Sequence, residues 1–172
     1  MKTLKFLVFC ILSFSVLSCD NDENNEANRL SVEEYIDHLK AGKYDSLELP
    51  NFTSKDIPAL LKYRNETQMI EDFPVNGISS FYMPECPLGM YALWTIESIR
   101  AVAIDSEYLI GRFPSQNPIV KKKGDAFEVE SGSEIQKIVA KAYFDWWAEN
   151  KNLDFAKFKN TDPLSETDYT WH

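Results

Sequence analysis

The sequence is poor in the residues that build metal and nucleophilic sites. It contains two histidines, His38 and His172, and three cysteines, Cys10, Cys19 and Cys86. Two histidines supply little material for a metal centre, and no stretch has the ligand spacing of a zinc site. A nucleophile elbow and a glycine-rich phosphate loop are also missing from the sequence. We therefore expect no metal, no cofactor and no catalytic residues.

Cysteine is too scarce for a disulfide framework. Cys10 lies in the first apolar run and Cys19 follows that run, so Cys86 is the only thiol expected inside the folded domain. A nucleophilic cysteine needs a partner base, and the scarcity of histidine disfavours one. We therefore expect Cys86 to be a packed core side chain.

Basic residues are fewer than acidic residues. The 172 residues include 18 Lys and Arg against 27 Asp and Glu, for a formal net charge of -9. Nucleic acid and anionic headgroups would be repelled, so neither is expected as a partner. A basic protein partner is compatible with this charge, although solubility alone also explains it. The one basic cluster, Lys121 to Lys123, is typical of a loop or hairpin tip, with an anion contact as the alternative.

The chain has no apolar run of the roughly 20 residues that a membrane-spanning helix needs. A basic start precedes a shorter apolar run over residues 6–17, which predicts an export signal over residues 1–18. The residues Val16-Leu17-Ser18-Cys19 resemble the lipobox of bacterial lipoproteins, in which cleavage leaves a lipid on the cysteine. The resemblance predicts lipidation of Cys19 and a membrane partner held through that lipid. A plain secretory signal is the alternative.

An acidic run follows Cys19, with Asp20, Asp22 and Glu23 spaced by asparagine. Such a composition cannot bury apolar surface, so residues 19–29 are predicted to form a solvated tether. The run also resembles the export signal of Bacteroidetes-type surface lipoproteins, which implies an outer-membrane location facing outward. In enterobacteria an aspartate after the lipidated cysteine would instead favour the inner membrane.

Residues 30–172 are predicted to form a single, mainly α domain, a compact bundle of about four to five helices with long ordered loops and room for one short β-hairpin. Ser31 and Glu34 form a capping-box pattern that begins a helix over about 32–41. Thr53 and Asp56 repeat this pattern before a second helix. A third amphipathic helix is expected to begin near Ser131 or Ser133 and to end near residue 151.

The stretch PLGMYALWTIESIRAVAID is apolar around almost its whole helical circumference, which predicts a buried central helix. Glu97 and Arg100 stand three residues apart on its narrow polar edge and can pair. We interpret them as a candidate polar spot, which either faces a ligand or is a structural ion pair.

Residues 66–87 lack helical or strand periodicity and carry four prolines or glycines, yet they remain apolar. Long ordered loops are more often functional than short ones. We therefore predict a binding surface on the loop from residue 73 to residue 87, with the candidate contacts Phe73, Phe81, Tyr82 and Met83.

The blocks ECPLGMYALWTIESIR and FTSKDIPALLKYRNETQMI resemble a family of small Bacteroidetes lipoproteins known only as a domain of unknown function. The resemblance spans residues 31–100. It implies export and lipidation, and it brings no catalytic residues.

Three functions follow as hypotheses. The leading one is a lipid-anchored, non-catalytic binding or accessory module of the bacterial cell envelope, with a protein or glycan ligand. The runner-up is an envelope immunity or inhibitor protein that acts on a basic partner. The third is a glycan-active hydrolase, for which two carboxylates such as Glu97 and Asp145 would have to flank a cleft.

Overall fold

The computed structural model describes residues 30–125 and 128–172. Cys19 and the acids Asp20, Asp22 and Glu23 lie outside the described residues, so their predicted roles stay predictions. The α-helices of the described part are α1 (Val32–Lys40), α2 (Ile57–Leu60), α3 (Leu88–Ala103) and α4 (Ser133–Asn150). Short 3-10 turns at Ser54–Asp56 and Leu61–Tyr63 flank α2, and another lies at Phe155–Lys157.

Five short strands accompany these helices within the described residues. β1 (Met69–Ile70) pairs antiparallel with β2 (Cys86–Pro87). A second sheet has the order β4-β3-β5, in which β3 (Val120–Lys122) lies between β4 (Val129–Glu130) and β5 (Tyr169–Trp171), and both pairings are antiparallel. The protein is therefore a mixed α and β fold, and the prediction of a mainly α bundle is wrong.

Two local features explain that error. The segment expected to form a second full helix is only one α-helical turn between 3-10 turns, and Pro58 lies in its first turn. At the other end, β5 joins β3 across the whole of α4, with Val120 opposite Trp171. Each of these strands has only three residues, which is too short for a detectable alternation of apolar and polar residues, and their partners are far apart in the sequence.

The longer helices begin where the sequence predicts. The Ser31 hydroxyl accepts from the Glu34 backbone N–H at 3.1 Å, and the Glu34 carboxylate accepts from the Ser31 backbone N–H at 2.9 Å, which completes the capping box of α1. α4 covers 133–150, close to the predicted range. Within 30–125 and 128–172, no helix combines the length and apolar character needed to cross a membrane.

Helix α3 is the centre of the core. All its residues from Leu88 to Ile99 are buried, and it packs against α2 and α4. Cys86, just before it, is also fully buried, as the sequence predicts, and burial raises the pKa of its thiol. The helix has no side-chain cap. Instead, its first N–H groups, at Leu88 and Gly89, donate to the carbonyls of Gln68 and Glu66, both at 2.9 Å.

Gly89 permits this tight approach between α3, α4 and the chain that follows α2. The Gln136 side chain on α4 donates to the carbonyls of Arg64 at 3.2 Å and Glu66 at 2.9 Å, directly beside Gly89. A Cβ on residue 89 would lie 2.6 Å from the Arg64 oxygen and 2.9 Å from the Glu66 oxygen, and it would collide with the Gln136 amide. Two of these three atoms are backbone atoms and cannot rotate away.

We expect Gly89→Ala to lower the free energy of unfolding by about 1–3 kcal/mol, because the added Cβ forces neighbouring backbone atoms apart. Gly77→Ala is the matched control, since a Cβ there meets nothing within 4 Å. That control should change stability by less than about 0.5 kcal/mol. Urea unfolding followed by circular dichroism measures both, and equal stabilities of the two variants would contradict the packing role assigned to Gly89.

Candidate functional site

The loop of residues 71–85 contains no helix or strand, yet the core holds it in place. Phe73 is buried, with its ring centroid 5.0 Å from that of Tyr91 on α3. The Tyr91 hydroxyl donates to the Pro74 carbonyl at 2.9 Å. These contacts fix the start of the loop on the central helix.

Asn76 fixes the middle of the same loop. It is 2% exposed, its amide donates to the Ser115 carbonyl at 3.0 Å, and its side-chain oxygen accepts from the Ile78 N–H at 3.2 Å. Because both ends of the amide are used, Asn76 ties the loop to the segment 106–118 that faces it. The apolar side chains beside it therefore have a firm base.

The segment 106–118 is held equally well. The Phe113 ring stacks on Trp94 of α3 at 5.5 Å, and the Trp94 indole N–H donates to the Ser115 hydroxyl at 2.8 Å. Arg112 donates to the carbonyls of Pro50 and Phe52 at 3.0 and 3.2 Å. Both loops are thus anchored to the core, and the surface between them is preorganised.

Two grooves lie on this surface and share the walls Asn76, Ile78 and Ile110. The first, here called the acidic groove, has a volume of about 700 Å³ and is lined by residues 44–48, 72–78, 110, 111 and 113. Three of its lining side chains are carboxylates: Asp45, Glu48 and Asp72. Among the described residues that line it, none is a lysine, an arginine or a histidine.

The second, here called the polar groove, has a volume of about 740 Å³. It is bounded by the C-terminal half of α3, the segment 106–116, β3 and β5. Its charged walls carry both signs, since Glu107 and Asp162 accompany Lys121, and Glu97 and Arg100 lie together at its base. Both volumes are within the range typical of ligand-binding clefts.

Glu97 and Arg100 form a buried ion pair, with side chains 8% and 12% exposed. The Arg100 Nε lies 3.1 and 3.0 Å from the two Glu97 oxygens, and its Nη2 also donates to Glu97. The Tyr143 hydroxyl of α4 donates to Glu97 at 2.6 Å, and the Trp171 indole N–H of β5 donates to that hydroxyl at 2.8 Å. The network thus joins α3, α4 and β5 behind the polar groove.

Burial raises the pKa of Glu97 above its ordinary value, although hydrogen bonds from Arg100 and Tyr143 favour the carboxylate. Burial alone would lower the pKa of Arg100, but the hydrogen bond and the charge of Glu97 raise it above its ordinary value. The pKa of Tyr143 is raised by burial and then by the neighbouring carboxylate. Arg100 and Tyr143 thus stay protonated as donors to Glu97.

Residues 26–172 match a protein family described as a domain of unknown function, DUF4943. The chain belongs to this family. A search of curated proteins and a search of solved structures each found no match. The prediction that the chain belongs to an uncharacterised domain family is confirmed.

The predicted loop contacts are divided among different grooves. Phe73 lines the acidic groove but is only 8% exposed, so it mainly supports the core. Phe81, Tyr82 and Met83 line a separate groove of about 460 Å³ beside the start of α4. Phe81 also packs on the His172 ring at 5.7 Å, whereas Tyr82 is strongly exposed. The four residues therefore do not form one surface.

The three lysines of the basic cluster have three different environments. Lys121 lines the polar groove, and Lys122 pairs with Glu130 at 3.0 Å. The Lys123 ammonium donates to the carbonyls of Leu164, Ser165 and Thr167 at 2.7–2.8 Å. Lys121 and Lys122 therefore belong to the central strand β3, and Lys123 begins the turn that follows it. Of the three, Lys121 lines the polar groove.

Several lining residues carry no signal that the sequence analysis could have used. Ile78, Tyr108 and Ile110 lie in turn-rich stretches, where isolated apolar residues do not reveal whether they face the core or the solvent. Asp162 and Trp171 reach the polar groove only because β5 returns beside β3. The one available hint was the Asn76-Gly77 pair, a turn signal that marked the position of the bridging asparagine.

The carboxylates considered for hydrolysis do not share a cleft. Glu97 lies in the polar groove, whereas Asp145 pairs with Lys141 on the surface of α4 and lines a different groove. Among the described residues, no three side chains of His, Cys, Asp or Glu are grouped so that they could hold a metal ion. In the same described part, Trp146 Nε1 is the only buried side-chain nitrogen or oxygen without a hydrogen-bond partner.

We expect Tyr143→Phe to lower the free energy of unfolding by about 2–3 kcal/mol, because it removes a charge-assisted hydrogen bond and leaves the Trp171 N–H unpaired. Tyr82→Phe is the matched control, since Tyr82 is 84% exposed. Urea unfolding compares the two variants. If both lose the same small amount of stability, the network does not hold α4 and β5 to the central helix.

Proposed function

We propose that the protein is a lipid-anchored, non-catalytic binding module of the bacterial cell envelope, and that the acidic groove docks a basic segment of a partner protein. The observation that carries the proposal is the combination of exposed apolar side chains with unpaired carboxylates around one rigid groove. Each part of that combination has a distinct role in recognition.

The apolar part supplies affinity. Leu47 is 91% exposed, Ile78 61%, Val75 48% and Ile110 41%, and all four line the acidic groove. Isolated exposed apolar residues are common, but a group around one concave surface is typical of a protein interaction site. Because Asn76 and Tyr91 hold the loop in place, little conformational entropy is lost when a partner binds.

The acidic part supplies selectivity. Asp45, Glu48 and Asp72 line the groove, and none of them forms an ion pair with any residue in the described part of the chain. Their charges therefore remain available to Lys or Arg side chains of a partner. The formal net charge of -9 would also steer a basic partner toward the protein. An envelope immunity or inhibitor protein is one form of this function, in which the basic partner is a toxin or an enzyme.

The non-catalytic part of the proposal rests on Glu97. Both of its oxygens already accept hydrogen bonds, from Arg100 and from Tyr143, so the carboxylate is held as a structural acceptor. A general acid or base needs an oxygen that reaches the reacting group.

The location rests on the sequence. A basic start, a short apolar run and the lipobox-like residues before Cys19 support export and lipidation, and the acids that follow support an outward-facing position on the outer membrane. A lipoprotein of the Bacteroidetes type would have these features. In this arrangement the tether would separate the grooves from the lipid surface.

We expect the triple variant Asp45→Asn, Glu48→Gln, Asp72→Asn to bind basic amphipathic peptides roughly tenfold more weakly than the native protein. The control is the triple variant Asp105→Asn, Glu149→Gln, Asp168→Asn, which removes the same number of charges outside the acidic groove. Asp105 matches Asp72 in this control, because both aspartates have a positive φ. Fluorescence anisotropy with labelled Lys/Leu peptides measures binding, with Glu/Leu peptides as a ligand control.

Binding to the native protein should also weaken as salt is raised from about 0.05 to 0.5 M, because exposed charges are screened. Two results would overturn the docking proposal: equal losses in both triple variants, or no preference for Lys/Leu over Glu/Leu peptides.

We expect protease added to intact cells to digest the native protein and to leave the variant Asp20→Ala, Asp22→Ala, Glu23→Ala protected, since the acids are proposed to direct surface export. Cys19→Ala should release the protein from the membrane fraction. Immunoblotting of shaved and of lysed cells measures each form. Protection of the native protein until the outer membrane is opened would exclude the outward-facing position.

A further inference from the structure

We propose that the polar groove is a second binding site, for a short neutral oligosaccharide. The inference is independent of the docking function assigned to the acidic groove. It rests on the hydrogen-bonding groups that line the polar groove without partners, on the small net charge of its lining and on one exposed aromatic ring.

Several polar side chains that line the polar groove have no hydrogen-bond partner within the described residues. Lys121 on β3 and Thr170 on β5 are directly paired residues in the sheet, so their side chains lie on the same face, and both line the polar groove. Gln116 lines it from the opposite segment. The Gln116 backbone N–H donates to the His172 carbonyl at 2.8 Å, but its side-chain amide makes no hydrogen bond within the described residues. In the same residues the Lys121 ammonium and the Thr170 hydroxyl also make no side-chain hydrogen bond or ion pair. Together they offer donors and acceptors to a ligand.

The charge of the groove favours a neutral ligand. Glu97 and Arg100 neutralise each other at its base, and Lys121 offsets one of the two wall carboxylates, Glu107 and Asp162. The described lining side chains therefore carry charges of both signs and a small negative net charge. Burial, followed by the charge of Lys121, lowers the pKa of His172, which favours the neutral ring. Its Nδ1 accepts from the Asn117 side-chain amide at 3.1 Å, so Nε2–H is the donor left for a ligand. The small negative net charge disfavours phosphates, and Lys121 among the lining residues disfavours polyamines.

The aromatic ring is Tyr108, which is 71% exposed at the groove. Sugars have C–H faces and a rim of hydroxyl groups, so they pack on an aromatic ring while their edges form hydrogen bonds. Ile78 and Ile110, which line the same groove, extend the apolar side of the site. A ring beside unpartnered polar groups is therefore the combination that an oligosaccharide needs.

The base of the site is rigid. The chain of hydrogen bonds from Trp171 through Tyr143 to Glu97 and Arg100 holds β5 against α3, and these elements form two sides of the polar groove. A site on fixed helices and strands keeps its geometry before the ligand arrives, which reduces the entropy lost on binding.

The test is saturation-transfer NMR followed by titration calorimetry of the folded protein with a panel of neutral trisaccharides: maltotriose, cellotriose, mannotriose and chitotriose. At least one should bind. Tyr108→Ala and Gln116→Ala should each weaken that binding about fivefold or more, and Tyr82→Ala, an exposed tyrosine outside the groove, should leave it unchanged. Near-UV circular dichroism confirms that each variant is folded.

Salt separates this site from the acidic groove. Trisaccharide binding should be the same at about 0.05 and 0.5 M salt, because a neutral ligand has no charge to screen. The triple variant at Asp45, Glu48 and Asp72 should retain it. The proposal is overturned if none of the four trisaccharides binds, if Tyr82→Ala weakens binding as much as Tyr108→Ala, or if binding falls with salt.

Discussion

The enclosure of helix α3 is the constraint from which the rest of the structure follows. A helix that is buried on nearly every side cannot present its polar residues to water, so each of them must find a partner within the protein. Glu97 accepts hydrogen bonds from Arg100 and Tyr143, and the Tyr143 hydroxyl in turn accepts one from Trp171. The Thr95 hydroxyl hydrogen-bonds to the Tyr35 hydroxyl, and the Ser98 hydroxyl donates to the Arg112 carbonyl. The elements that surround α3 are thus held to it by polar contacts as well as by apolar packing.

The same constraint explains why long loops can carry rigid grooves. The segments 71–85 and 106–118 lack regular structure, yet rings from both pack on α3, and Asn76 ties them together. Their inward side chains are used for packing, which leaves the intervening apolar residues at the surface. The acidic groove lies between these outward residues and the segment 44–48, and the polar groove lies where they meet the second sheet.

Features that depend on neighbouring residues could be predicted from the sequence, whereas the pairing of distant strands could not. The capping box at Ser31, the buried stripe of α3 and the start of α4 follow from neighbours within one or two helical turns, and the structure contains them. The second sheet depends on Val120 meeting Trp171, which no local pattern encodes. For the same reason the Glu97–Arg100 pair could be predicted, because it lies within one turn, whereas its partners Tyr143 and Trp171 could not.

The position of β5 has a consequence for how the chain acquires its structure. β3 and β4 can pair as soon as both exist, but the other edge of β3 stays open until the chain has passed through α4 and the turns after it. The closing contacts of the sheet therefore have the largest sequence separation of the strand pairings in the described residues, and pairings between distant segments form slowly. Until they form, the open edge of β3 and the still undocked Trp171 leave the folding domain open to association with other chains.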